Sequence, residues 1–439
     1  MSVKLHNVIS CIIVLFSWLG LFSYFVSSAL GGVIYIGFSY FIVLAYIFPK
    51  ICLNGRGNPL FWGLISFLIF AFVTFIGYEI LVEKGVINSF FVFEFSSTGF
   101  NILKNLPLWC SGFLLLLDRN QTPGLKNVFY LVLAYDVIIT LVALYFEPAF
   151  SKKMAAGIVT GNMSPFLRVG AMGYELTYSV SIVAPVIIAD GLYFRNKLVL
   201  LLGLLCCYFV FSSSFMIGLV ALVMNLLLCC LFCIPVKSNR IRVFLVISAV
   251  VVGIVLALSG EWLANFLITL SNQISSQQLS ERFYQIGRLL LYGDSSGDAM
   301  GRLDLYSEAL VQGVKSPVLG QAIFGTGYSG SGHSTILDGW SLFGLAGLIP
   351  FLSMTTYSSR SALLGLGKKA LRGTVISASI TFLFIALFDP VLAGPQILLS
   401  VIWVVPVIAA SWKNEPQSRV ECIKRNIMCI EEGAYFENH

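Results

Sequence analysis

Histidine occurs only three times in this chain, as His6, His333 and His439. Imidazole is the side chain whose ordinary titration falls near neutral pH, so it is the first group to weigh as a general acid or base. Only His333 sits in a distinctive setting: Phe324-Gly-Thr-Gly-Tyr-Ser-Gly-Ser-Gly-His333-Ser-Thr-Ile-Leu-Asp338-Gly-Trp340. Gly325 and Gly327 would let backbone approach a ligand closely, as a phosphate cradle requires. The stretch is not a Walker loop, because no lysine follows it and no strand pattern precedes it. A structural, hydrogen-bonding role for His333 stands beside the chemical one. If the histidine is structural, Asp338 and Glu175 are the next bases to consider.

Arginine supplies the second chemistry. Arg168, Arg282, Arg288 and Arg302 fall between apolar blocks, on one side of the membrane by the topology below. A guanidinium is a planar fork that grips phosphate oxygens in pairs. Lipid head groups compete for that role, and Arg282 and Arg288 are read as lipid contacts. Asp136 lies within an apolar block, and an intramembrane acid is a functional candidate by default. The sequence contains no Asp-x-Asp pair and no His-Glu-x-x-His. Of the ten cysteines, Cys230 and Cys233 have metal-like spacing. With no histidine or acid nearby they read as small apolar residues, and no disulfide framework is indicated.

A membrane scaffold must position these groups. Of 439 residues, 58% are hydrophobic and 11% charged, with a mean hydropathy of +0.89; a soluble domain carries about 25% charged residues. The apolar residues form blocks near the ~20 needed to cross a bilayer as a helix, without the alternation of barrel strands. The sequence predicts spans near 8–28, 29–48, 60–82, 102–118, 127–146, 176–194, 198–214, 215–235, 243–260, 334–355, 374–390 and 393–411. Most of the 27 Lys and Arg residues, among them Lys50, Lys126, Arg195, Lys197, Arg240, Arg360 and Arg372, then share a side. The positive-inside rule makes that side cytoplasmic. The net charge of +6 is therefore a topology signal, and no basic soluble domain is present to bind nucleic acid. The first apolar run exceeds a signal-peptide core and a second follows at once, so an uncleaved helix is expected.

The expected fold is an all-α polytopic membrane protein of about twelve helices, a single transmembrane domain over 1–439 with both termini cytoplasmic. Outer loops are expected at 83–101, 147–175 and 261–333, and a cytoplasmic tail at 412–439. In the largest loop, Leu263, Phe266, Leu267, Leu270 and Ile274 recur at helical spacing, as do Leu303, Tyr306 and Leu310 behind a cap at Asp298. They predict short amphipathic helices at the membrane–water boundary.

The run from Phe324-Gly-Thr-Gly-Tyr328 through Gly332-His-Ser-Thr-Ile-Leu-Asp-Gly-Trp340 to Phe343-Gly-Leu-Ala-Gly347, after Gly301-Arg302-Leu-Asp-Leu-Tyr306, resembles the bacterial O-antigen polymerase (Wzy-type) family. The motif covers residues 301–347; the multispanning layout and two sizeable periplasmic loops extend the likeness in architecture. The resemblance implies a metal-independent, cofactor-free glycosyltransferase of the bacterial inner membrane with its site facing the periplasm. Such an enzyme moves a polysaccharide chain from undecaprenyl diphosphate to the non-reducing end of a lipid-linked repeat unit during lipopolysaccharide O-antigen synthesis. Its partners would be undecaprenyl-diphosphate-linked donor and acceptor glycans, membrane lipids and a chain-length regulator membrane protein. Arg302 and Arg168, with Gly325 and Gly327, would hold diphosphate, and His333 would be the base. Arg168, followed by Gly173 and Glu175, matches the family's earlier loop arginine loosely. Relatives often carry Ser-Arg after the seventh span, where this chain reads Ser212-Ser213-Ser214-Phe215.

Two other functions fit parts of the pattern. O-antigen ligases share the glycine-then-histidine motif but pass the chain to lipid A–core; they commonly read His-Asn where this chain has His333-Ser334. A lipid-linked oligosaccharide flippase or other transporter also has about twelve spans, and should carry charge along a midplane path with discontinuous helices. Here the polar residues gather at the outer edge, which favours an enzyme.

Overall fold

A computed structural model describes residues 59–86, 122–155, 160–233 except 214, 260–274, a few positions between 280 and 291, 298–364 except 326, 366, 369–392 and 395–413. The expected spans near 8–28, 29–48, 102–118 and 243–260, Arg282, and the tail beyond 413 lie outside the described residues. All regular structure among the described residues is helical. In chain order the helices are α1 (Pro59–Glu83), α2 (Thr122–Phe146), α3 (Phe150–Ala155), α4 (Ser164–Arg168), α5 (Tyr174–Tyr193), α6 (Lys197–Ser212), α7 (Met216–Cys233), α8 (Gly260–Gln273), α9 (Asp298–Lys315), α10 (Gly320–Phe324), α11 (Thr335–Leu363) and α12 (Lys369–Phe388). The last apolar segment is α13 (Pro395–Leu399), a π-helical turn at Ser400–Val404 and α14 (Val405–Lys413).

Each apolar segment expected as a span within the described residues is helical. Five of these helices, α1, α2, α5, α11 and α12, are long and apolar enough to cross a membrane; α6, α7 and the α13–α14 segment are shorter apolar helices. The molecule has the architecture of a multi-pass helical membrane protein. Between these apolar helices the expected amphipathic pair appears as α8 and α9, with α9 beginning at Asp298 itself.

Polar side chains staple the interior, as is usual where apolar burial cannot hold one helix against another. Asn225 on α7 donates to the Ser181 and Ile182 carbonyls of α5 and accepts from Ser377 of α12 at 2.8 Å. This fixes α12 beside α5 through α7.

A second staple marks one end of the bundle. Buried Asp190, near the end of α5, accepts from Lys126 Nζ, Tyr130 OH at 2.8 Å and Trp412 Nε1 at 2.6 Å. Lys126 also stands over the Phe194 ring at 4.4 Å. The start of α2 and the ends of α5 and α14 therefore meet on one side. The start of α5, the start of α11 and the end of α12 meet at the other.

The expected span at 334–355 is interrupted. Gly344 has φ +63°, breaking α11 after its first nine residues. The connector between α9 and α10 fills the break: Leu345 and Ala346 donate to the carbonyls of Pro317 and Val318 at 2.8 and 3.1 Å. Gly320, at φ +74°, faces the Leu342 carbonyl so closely that a Cβ would lie 2.2 Å from its oxygen. A Cβ on Gly344 would meet Val318 backbone at 2.3 Å. Two glycines in the left-handed region thus let backbone lie against backbone, and the clasp sets α9 against α11.

Candidate active site

The clasp brings α9, the N-terminus of α11 and the end of α12 together. Each contributes one charged or titratable group. Arg302 comes from the first turns of α9, His333 precedes α11, and Asp389 stands one residue past α12. The Arg302 guanidinium faces the Asp389 carboxylate, Nη1 to Oδ2 at 3.7 Å. The Tyr178 hydroxyl of α5 donates to the same oxygen. His333 is close enough to favour the carboxylate electrostatically.

Backbone contacts hold this arrangement. The Asp389 amide continues α12 by donating to Ile385. Thr335, the first residue of α11, accepts from the Val391 amide at 2.8 Å, and its own amide donates to the Asp389 carbonyl at 3.4 Å. Tyr306, one turn after Arg302, donates to the Phe388 carbonyl at 2.8 Å. An aromatic wall closes one side: Phe215 lies 6.1 Å from Tyr178 and 6.3 Å from Tyr174, ring centre to ring centre. Phe215 is where the sequence departs from the expected Ser-Arg; Ser212 and Ser213 spend their hydroxyls on carbonyls of their own helix.

Burial pushes the Asp389 carboxyl above its ordinary 3.8, while the Tyr178 hydrogen bond, Arg302 and His333 pull it down without cancelling the shift. Burial also raises the Tyr306 phenol, against the opposing pull of Arg302. A carboxylate facing a guanidinium at this distance can orient it.

The other expected residues are placed as follows. Asp338 serves the loop: its carboxylate accepts from the Ser331 amide at 2.6 Å and the Ser334 amide at 3.4 Å. Ser334 caps α11, its Oγ accepting from the Leu337 amide at 3.0 Å. Glu175 lies in the first turn of α5 and turns back over Gly173, where an added Cβ would sit 3.2 Å from its Oε2. Arg168 ends α4, is exposed, and belongs to a helix packed against α2. Gly325 spends its amide on the Gln321 carbonyl at 2.7 Å and offers its own carbonyl to Lys84 Nζ at 3.1 Å. Gly327 lines a neighbouring cleft. Asp136 is fully buried and both its carboxylate oxygens lack a hydrogen-bond partner among the described residues. No metal-binding group of His, Cys, Asp and Glu occurs among the described residues.

The sequence singled out Arg302 and His333 but not Asp389, Tyr178 or Tyr306, which the structure groups with Arg302. An acid ending an apolar helix was a signal for Asp389, since the rule that selected Asp136 applies equally to it. Nothing local marks Tyr178, a tyrosine in an apolar helix. No family model matches the chain, and no curated protein matches it.

Proposed function

We propose that the chain is a metal-independent glycosyltransferase of the O-antigen polymerase type, acting at the periplasmic face of the bacterial inner membrane. The observation that carries this reading is the Arg302–Asp389 ion pair at one end of a helical bundle, with His333 near enough to act on Asp389 electrostatically. The acceptor sugar hydroxyl attacks the anomeric carbon of the donor chain as the bond to diphosphate breaks. Undecaprenyl diphosphate leaves with the bonding electrons, and the hydroxyl proton passes to His333. Charge grows on the leaving diphosphate, so Arg302 stabilises the transition state more than the ground state. Asp389 stabilises the imidazolium and orients the guanidinium, and no metal is needed to meet the diphosphate charge. Arg168 lies outside the Asp389 cluster and would meet the substrate's anion from another side.

The rivals fare unequally. Ser334 acts as a helix cap, a role asparagine fills equally well, so His-Ser against His-Asn does not by geometry separate polymerase from ligase. A transporter reading gains the break in α11, but the amides freed there are taken by Pro317 and Val318 and are closed to a substrate. The full proposal is about twelve spans with both termini cytoplasmic and the site outside. Lipopolysaccharide from a deletion strain tests it: core bearing a single repeat unit supports the polymerase, whereas core alone points to ligase or flippase. A fusion reporter near 295 should read periplasm and one at 360–370 cytoplasm.

A further inference from the structure

A cleft of about 720 Å³ runs along α9 from Leu305 to Lys315. One wall is the α9 face bearing Leu305, Glu308 and Gln312; the opposite wall is the glycine-rich loop around Tyr328. Arg302 precedes Leu305 by three residues, so the two share a face of α9 and the near end of the cleft lies about one helical turn from Arg302. The volume falls within the roughly 300–1,000 Å³ of small-molecule sites. Its lining is unlike a channel for a polyprenyl tail: Glu308, Gln312, Lys315 and Gln321 contribute carboxylate, amides and ammonium, and Phe324 and Tyr328 contribute ring faces. Phe324 is 65% exposed although strongly apolar. The Gln321 amide is already fixed by donating to the Gln312 carbonyl at 3.0 Å. Nearby Lys84 is committed to the carbonyls of Ala322, Ile323 and Gly325, so it adds no anion site here.

We propose that this cleft is the glycan subsite of the transferase, holding sugar residues attached beyond the diphosphate. Carboxylate and amide groups bind vicinal hydroxyls in pairs, and aromatic rings cover the apolar face of a pyranose. The balance of Glu308 against Lys315 suits uncharged sugars rather than a second diphosphate. This inference rests on the transferase reading and specifies where its substrate's sugars lie.

The test uses the full chain in lipid nanodiscs and two probes: undecaprenyl diphosphate bearing one repeat unit from the producing cell, and bare undecaprenyl diphosphate. Glu308 is exposed and Gln312 partly so, so Glu308→Gln and Gln312→Ala leave the fold intact. Each should weaken the glycosylated lipid about tenfold, the scale of a lost hydrogen bond to a charged or buried partner, and leave the bare lipid unchanged. Phe324→Ala should do the same, whereas Arg302→Ala should weaken both. Cleft variants that bind the glycosylated lipid like wild type, or weaken both lipids equally, overturn the subsite alone. Wild-type protein that binds neither lipid overturns the transferase reading and the subsite with it.

Discussion

Arg302 and Asp389 are 87 positions apart in sequence, yet Nη1 of one stands 3.7 Å from Oδ2 of the other. The pair is partly open to solvent on the arginine side, with 33% of that side chain exposed against 11% for the aspartate. The carboxylate orients one edge of the guanidinium, and the exposed part of the arginine faces solvent.

Substitution at Arg302 tests the fork. Arg302→Lys keeps the charge and loses the paired geometry, and Arg302→Ala loses both. Polymer made in cells should fall severely with Lys and at least as far with Ala, while membrane protein levels stay normal. Full-length polymer from Arg302→Ala would show that the residue serves only lipid head groups.

His333→Gln separates basicity from hydrogen bonding. General-base help is worth typically 10²–10⁴-fold, so Gln and Ala should both leave little polymer from a folded, membrane-inserted protein. Wild-type chain length from Gln would make the histidine structural. The base would then be Asp389 or Glu175, because Asp338 is occupied by the amides of Ser331 and Ser334.

Asp389 trades stability for function. Its carboxyl is raised by burial, so the charged form carries a cost in the folded protein above that raised value. The cost vanishes as the pH falls below the ordinary carboxylate value. Asp389→Asn keeps an acceptor for Tyr178 and removes the charge. Polymer synthesis should drop sharply, yet thermal unfolding of the purified protein at pH 7 should be unchanged or shifted upward. At pH 4 any upward shift should shrink towards zero. A large loss of stability at pH 7 would mean that the ion pair, not function, accounts for the acid.

The glycine clasp should be intolerant of side chains. Gly344→Ala forces an L residue to φ +63° and drives a Cβ into Val318 backbone. Strain of this kind costs about 1–3 kcal/mol before the clash is counted. Gly339→Ala is the control, since its Cβ would meet nothing within 4 Å. Thermal unfolding should separate the two variants clearly, and activity should follow stability because the clasp holds α9 against α11.

By itself the sequence determined the helical membrane class and the positions of the apolar helices among the described residues, and it singled out Arg302 and His333 as candidates. Those features are local. A run of apolar residues must satisfy its own backbone in lipid, and His333 and Arg302 stand in recognisable contexts within a few residues. Only the tertiary structure decided that Asp389 completes the group, that Tyr178 donates to it, and that Asp338 belongs to the loop instead. It also decided that the span after His333 breaks at Gly344, because a glycine in an apolar run reads as an ordinary packing residue until the Pro317–Val318 backbone is seen lying against it. Contacts such as Arg302 with Asp389 arise from how α9, α11 and α12 pack, and helix packing depends on side-chain surfaces distant in sequence, which no single window of residues encodes.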